Sequence, residues 1–280
     1  MILQEIDRFR GIARNFLNIA AVMGSSFEFS ELMAVMFTLK GTNAGNASAN
    51  ADELRIGALR ALSSAAKKGI LCVEWNGGEN IDNPPASFSA LVESNLQPST
   101  DPFPDELICC FSHEMWRSSI LGLMLDRRKS ELHRAIALTL ESTDLHNTKD
   151  FTSRLLLFGH WKASGDFLET SRIALDTGKM FEDLGLHKQN VGLYQEALGM
   201  LARAVSPKDA VGGFSPELMN IISSDQLVAC VKICVALGKA YINLHVVNEA
   251  AKVYQGALGV SEVWDECLIH TDSILQLFLV

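Results

Sequence analysis

His113-Glu114-Met115-Trp116-Arg117 is the run whose residue types come nearest to a catalytic motif. A zinc-protease helix carries a second histidine four residues after the first, on the same face, with the glutamate as base. Arg117 occupies that position, so the run cannot close a two-histidine site. His113 is expected to pack or hydrogen-bond at a helix start, and His133 to contact neighbours from a helix face. Cys72, Cys109 and Cys110 fall on two short β-like runs. Adjacent strand residues point to opposite faces, so at most one of Cys109 and Cys110 joins Cys72. That is too few ligands for structural zinc, and the thiols read as core residues. Cys230 and Cys234 lie four apart on an apolar helical stripe, which again reads as packing.

Other site chemistries lack essential parts. A phosphate-binding loop needs Gly-x-x-x-x-Gly-Lys-Ser/Thr, in which backbone N–H groups and a lysine hold the phosphates. The nearest stretch, 41–48, has glycines and no lysine. No Gly-x-Ser-x-Gly nucleophile elbow occurs. Arg117, Arg127, Arg128, Lys129 and Arg134 form a local basic cluster that could meet phosphates. The candidate DNA-reading helix, however, carries Arg55, Arg60, Lys67 and Lys68 among alanines and no base-reading array. The expectation is a chain without catalytic, cofactor or metal residues of its own.

The elements that carry these residues follow from periodicity. Apolar positions over 2–23 mark one helical face with a break near Gly11, ended by Gly24. Ser30 is placed as the N-cap of a short helix over 32–39, and residues 41–50 as a loop. Asp52 is placed as the cap of a third helix with Leu54, Ala58, Ala61, Leu62 and Ala65 on one face, stopped by Gly69. Residues 70–75 and 107–111 read as two strands flanking 76–105, a proline-rich insertion expected to be exposed and mobile. Helices are expected from Ser112 onward, including 127–141, where Arg127 and Glu131 pair on the outer surface.

The second half repeats itself. Tyr194-Gln195-Glu196-Ala197-Leu198-Gly199 matches Tyr254-Gln255-Gly256-Ala257-Leu258-Gly259 sixty residues later, and Phe181, Leu184 and Gly185 match Tyr241, Leu244 and His245. Each unit is a helix ending in an aromatic-x-x-Leu turn, then a helix bearing Tyr-x-x-Ala-Leu. Helical hairpins of about 34 residues use this grammar, small residues admitting a close neighbour and large ones filling the gap. An earlier hairpin fits too: 155–161, a turn over 163–166, then 167–178.

The sequence from Phe111-Ser112-His113 through Leu121, Arg127-Arg128, Leu132-His133, Ile136-Ala137 and Leu140-Glu141 to His160-Trp161 and Ser164-Gly165-Asp166 resembles a region of multidomain signal-transduction ATPases. So does the upstream run Ala20-Ala21-Val22-Met23-Gly24-Ser25-Ser26-Phe27 with Leu32. In that family, and in proteins pairing its nucleotide module with class III adenylate or guanylate cyclase domains, the region is a winged helix followed by tetratricopeptide-like hairpins. The resemblance implies a mainly α chain: a winged-helix-like domain over 1–145 with a small β wing and trailing helices, then a hairpin array over 146–280 with a loop insertion over 204–224. It implies a non-catalytic regulatory or interaction segment, with a stand-alone adaptor as the alternative and a DNA-binding regulator behind both. Neither the phosphate-binding loop nor a cyclase metal-binding carboxylate pair is found. The candidate interaction and motif residues are His113, Arg127, Arg128, His133, Trp161, Tyr194, Tyr241 and Tyr254.

Composition is consistent with this. The 280 residues are 48% hydrophobic and 20% charged, which excludes a disordered chain and allows one large domain or two modest ones. A net charge of -9 argues against a general nucleic-acid binder. No h-region opens the chain, and no apolar run reaches a membrane span. The expectation is a cytoplasmic, reducing location with free thiols, and a protein partner or adjoining domains of the same polypeptide. Residues 273–280, Ser-Ile-Leu-Gln-Leu-Phe-Leu-Val, either dock on a core or belong to a helix that continues in a longer protein.

Overall fold

The computed structural model describes residues 2–41, 47–75, 107–142, 151–205 and 223–265. The chain divides into two compact units, Met1–Asp144 and Leu145–Val280. Helices dominate among the described residues, with one small sheet. The expected insertion over 76–105, the centre of the loop over 204–224 and the segment 273–280 lie outside the described residues, as does Cys267.

The first unit runs α1 (Ile2–Asp7), α2 (Ile12–Met23), β1 (Ser26–Glu28), α3 (Phe29–Lys40), α4 (Ala47–Lys67), β2 (Leu71–Trp75), β3 (Leu107–Phe111), α5 (Glu114–Gly122) and α6 (Asp126–Ser142). The N-terminal face does break at Gly11, whose φ of 56° suits a residue without a Cβ. Arg14 Nη1 donates to the Ile6 carbonyl at 2.9 Å across that break. Lys68 pairs with Glu5 at 2.9 Å and lies over the Phe9 ring, tying the end of α4 to the chain start.

Three sequence expectations change here. Ser30 lies within α3, whose N-cap is Glu28, and its hydroxyl turns back to the Glu28 carboxylate. Asp52 lies inside α4, which begins at Ala47 and so takes up the end of the expected loop. The sheet has three strands, not two: β1 pairs with β3, and the order is β1-β3-β2, all antiparallel. Three residues are too few for alternation to show in sequence; pairing with β3 makes Ser26–Glu28 a strand.

One core holds the unit together. Phe16, Leu17 and Ile19 of α2, Leu32 and Val35 of α3, and Leu54, Ala58, Leu59 and Leu62 of α4 are buried with Leu107 and Cys109 of β3, Ile120 of α5 and Leu132 and Ile136 of α6. Each large apolar side chain contributes about 1.5–3 kcal/mol by leaving water. Thr38 of α3 and Thr139 of α6 share a hydroxyl hydrogen bond of 2.9 Å, which ties α6 to this core.

The second unit runs α7 (Phe151–Ser164), α8 (Phe167–Asp183), α9 (His187–Val205), α10 (Ser224–Asn243) and α11 (Val247–Asp265). At the ends of the loop expected over 204–224 the chain is helical, since α9 reaches Val205 and α10 starts at Ser224. Asp166 caps α8 by accepting from the Glu169 N–H. Ser223 and Gln226 form a capping box at α10. No helix among the described residues is long and apolar enough to cross a membrane.

Candidate functional site

In the second unit the 60-residue repeat is a repeat of contacts. The α8–α9 turn has Gly185 at φ 71°, and the α10–α11 turn has His245 at φ 61°. In the first, Leu186 N–H donates to Phe181 O at 2.7 Å; in the second, Val246 N–H donates to Tyr241 O at 2.9 Å. These bonds satisfy the last helix carbonyls while the chain reverses. The aromatic-x-x-Leu turn legible in sequence therefore has one backbone form in both hairpins.

Between the helices, a glycine faces a tyrosine in each hairpin. A Cβ on Gly178 would overlap Tyr194 and stand 2.6 Å from Asn190 Oδ1; a Cβ on Gly238 would stand 2.5 Å from Tyr254 Cζ. Gly178 and Gly238 are themselves sixty residues apart. Sequence reading missed this pair. Its signal was the same offset, but a helix glycine reads only as a weak helix former until its neighbour is known.

Tyr194 is buried, and burial, with Glu182 adding, pushes its phenol up to about 12, the neighbouring Asn190 side chain opposing. Tyr254 is half-buried, and burial raises its phenol while Lys239 opposes. Tyr241 plays another part: Gln195 Nε2 donates to its hydroxyl at 2.7 Å, joining α9 to α10. Lys239 and Glu182, 2.8 Å apart, join α10 to α8. Trp161 is buried in α7, and the adjacent Lys162 reaches Glu196 of α9 at 2.6 Å. Trp161, Tyr194, Tyr241 and Tyr254 thus lie within the hairpin packing or between its helices.

The candidates in the first unit do not form one constellation. His113 is the exposed N-cap residue of α5, in extended backbone and without a side-chain capping bond. Arg127 and Arg128 each reach the Glu131 carboxylate at 3.2 Å, and those bonds, Arg128 first, hold Glu131 below the usual carboxylate range. Lys129 pairs with Asp126 at 2.9 Å. Arg117 points the other way, its Nε donating to the Ala21 carbonyl at 3.0 Å near the end of α2 and its Nη1 meeting Glu114 at 2.7 Å. Three carboxylates, Glu114, Asp126 and Glu131, thus pair with four of the five cations of the cluster, and the fifth, Arg134, is exposed. His133 is half-buried, and burial lowers its pKa. On α4 the exposed charges are Asp52 and Glu53 in the N-terminal half and Arg60 and Lys67 in the C-terminal half.

Among the described residues, no three His, Cys, Asp or Glu side chains cluster as metal ligands. Cys109, Cys230 and Cys234 are buried as expected of core thiols, and burial, with Cys110 adding, pushes the Cys109 thiol up to about 12. Cys72 departs from the expectation: it is exposed on β2. No protein-family model, curated protein or solved structure matches the chain.

Proposed function

We propose that this chain is a non-catalytic regulatory and protein-interaction segment of a larger signalling ATPase or nucleotide cyclase. In this reading the first unit is a winged-helix-like domain that contacts the nucleotide module. The second is a tetratricopeptide-like array that binds a partner and biases that module. The observation that carries the reading is the doubled hairpin, with Gly178 against Tyr194 and Gly238 against Tyr254 and the same turn at Gly185 and His245. Stacked hairpins of this kind expose extended helix faces suited to peptide and protein binding. The helix and strand order of the first unit, with sheet order β1-β3-β2, supports the winged-helix part.

The alternative is a free-standing adaptor that uses the same hairpins. Sequencing the adjoining coding region separates the two. An in-frame Gly-x-x-x-x-Gly-Lys-Ser/Thr upstream supports the regulatory segment. In-frame stop codons immediately before Met1 would leave the adaptor. Saturable ATP hydrolysis that stays with this chain through purification, and disappears with its unfolding, would overturn both.

A further inference from the structure

Cys72 and Cys110 are directly opposite each other on the antiparallel strands β2 and β3. Directly opposed residues share one face of a sheet, with Cβ atoms about 4.5–5.5 Å apart. The Ser112 N–H donates to Ile70 O at 3.0 Å, two positions along the same ladder, so Cys72 and Cys110 are also a hydrogen-bonded pair. Such pairs have Cα atoms about 5.5 Å apart, inside the span a disulfide bridges. Their Cβ atoms stand at or beyond its usual ~3.5–4.5 Å, so the link draws the strands together and is strained and easily reduced. The Cys110 thiol also approaches the Cys72 carbonyl at 3.8 Å. Both thiols are free, Cys72 exposed and Cys110 half-buried, while Cys109 on the opposite face is sealed in the core. The outer row across the sheet reads Ser26, Cys110, Cys72.

We infer that Cys72 and Cys110 form a dithiol site for exchange with low-molecular-weight disulfides. Cys72, the accessible thiol, attacks one sulfur of the small disulfide as its thiolate. One small thiolate leaves, and a mixed disulfide stands on Cys72. Cys110 then loses its proton and attacks the Cys72 sulfur, releasing the second small thiol. The protein gives up two protons and two electrons, and the small disulfide takes both and departs as two thiols. An exposed disulfide of this kind is readily reduced again, so the site is reversible. Burial, together with Cys72 and Glu74, raises the Cys110 thiol, which fits Cys72 as the entry point.

The test equilibrates the reduced full chain in glutathione buffers of rising disulfide content, quenches with acid, alkylates and maps the peptides. The expected product is a Cys72–Cys110 link that a dithiol reductant reverses, with Cys109, Cys230 and Cys234 still alkylated as thiols. Cys110→Ser should instead retain glutathione on Cys72, and Cys72→Ser should slow modification of Cys110 by about tenfold or more. A glutathione adduct that persists on Cys72 while Cys110 is intact would overturn the inference. So would two free thiols at a disulfide content that oxidises a control dithiol.

Discussion

Hairpin α8–α9 turns through Gly185, while α10–α11 makes the same turn through His245, at a positive φ that costs a side-chain-bearing residue about 1 kcal/mol or more. Behind the turn, Asn190 is buried and donates to the Gly178 carbonyl at 2.9 Å; the matching position holds Ala250, also buried. Tyr194 is sealed in, while Tyr254 is half-buried. The two hairpins therefore share a backbone plan and differ in how completely it is filled. What repeats is the close approach of a glycine to an aromatic ring. What varies is the polar and steric trimming around it.

The largest effect should come from removing the rings. Tyr194→Ala should cost about 3–5 kcal/mol in denaturant unfolding, and Tyr254→Ala distinctly less because its ring is half out of the packing. Equal losses would mean the two hairpins are filled alike. Next in size, Gly178→Ala and Gly238→Ala should each destabilise by about 1–3 kcal/mol by overpacking, although alanine is the better helix former. A gain in stability at either site would show that the ring gives way freely.

The turn offers a test of sign. Gly185→Ala should destabilise by about 1 kcal/mol, and His245→Gly should stabilise by somewhat less, since the second relieves a left-handed side chain but loosens the unfolded chain. Changes of the same sign would refute a shared turn. Finally, the Tyr194 phenol is raised in the folded state, so its contribution is fully present below the unfolded value near 10 and is lost as pH rises towards about 12. Unfolding monitored over that alkaline range should show a fall in stability that Tyr194→Phe reduces more than Tyr254→Phe does.

Much of the helical fold was legible. The apolar face of α4, from Leu54 to Ala65, and the strands around residues 71–75 and 107–111 emerge from local spacing, because burial repeats with each element's own period. Cap positions were less legible. Ser30 and Asp52 are good capping types, yet Glu28 precedes α3 and α4 begins five residues before Asp52. Capping preference is worth about 1 kcal/mol, and packing of Phe29 into the core outweighs it. The partners of the basic cluster were not legible for a related reason. Residue types showed five cations, but not that Arg117 would bond the Ala21 carbonyl or that Glu131 would hold two arginines.

The sequence by itself determined the helices, the 60-residue repeat and the lack of a complete phosphate-binding or zinc-protease motif, since each depends on residue identity at short spacing. Tertiary structure alone decided which small residue meets which ring, that Ser26–Glu28 becomes a strand, and that Cys110 rather than Cys109 stands beside Cys72. Those outcomes rest on register and on contacts between distant segments, which local periodicity does not encode.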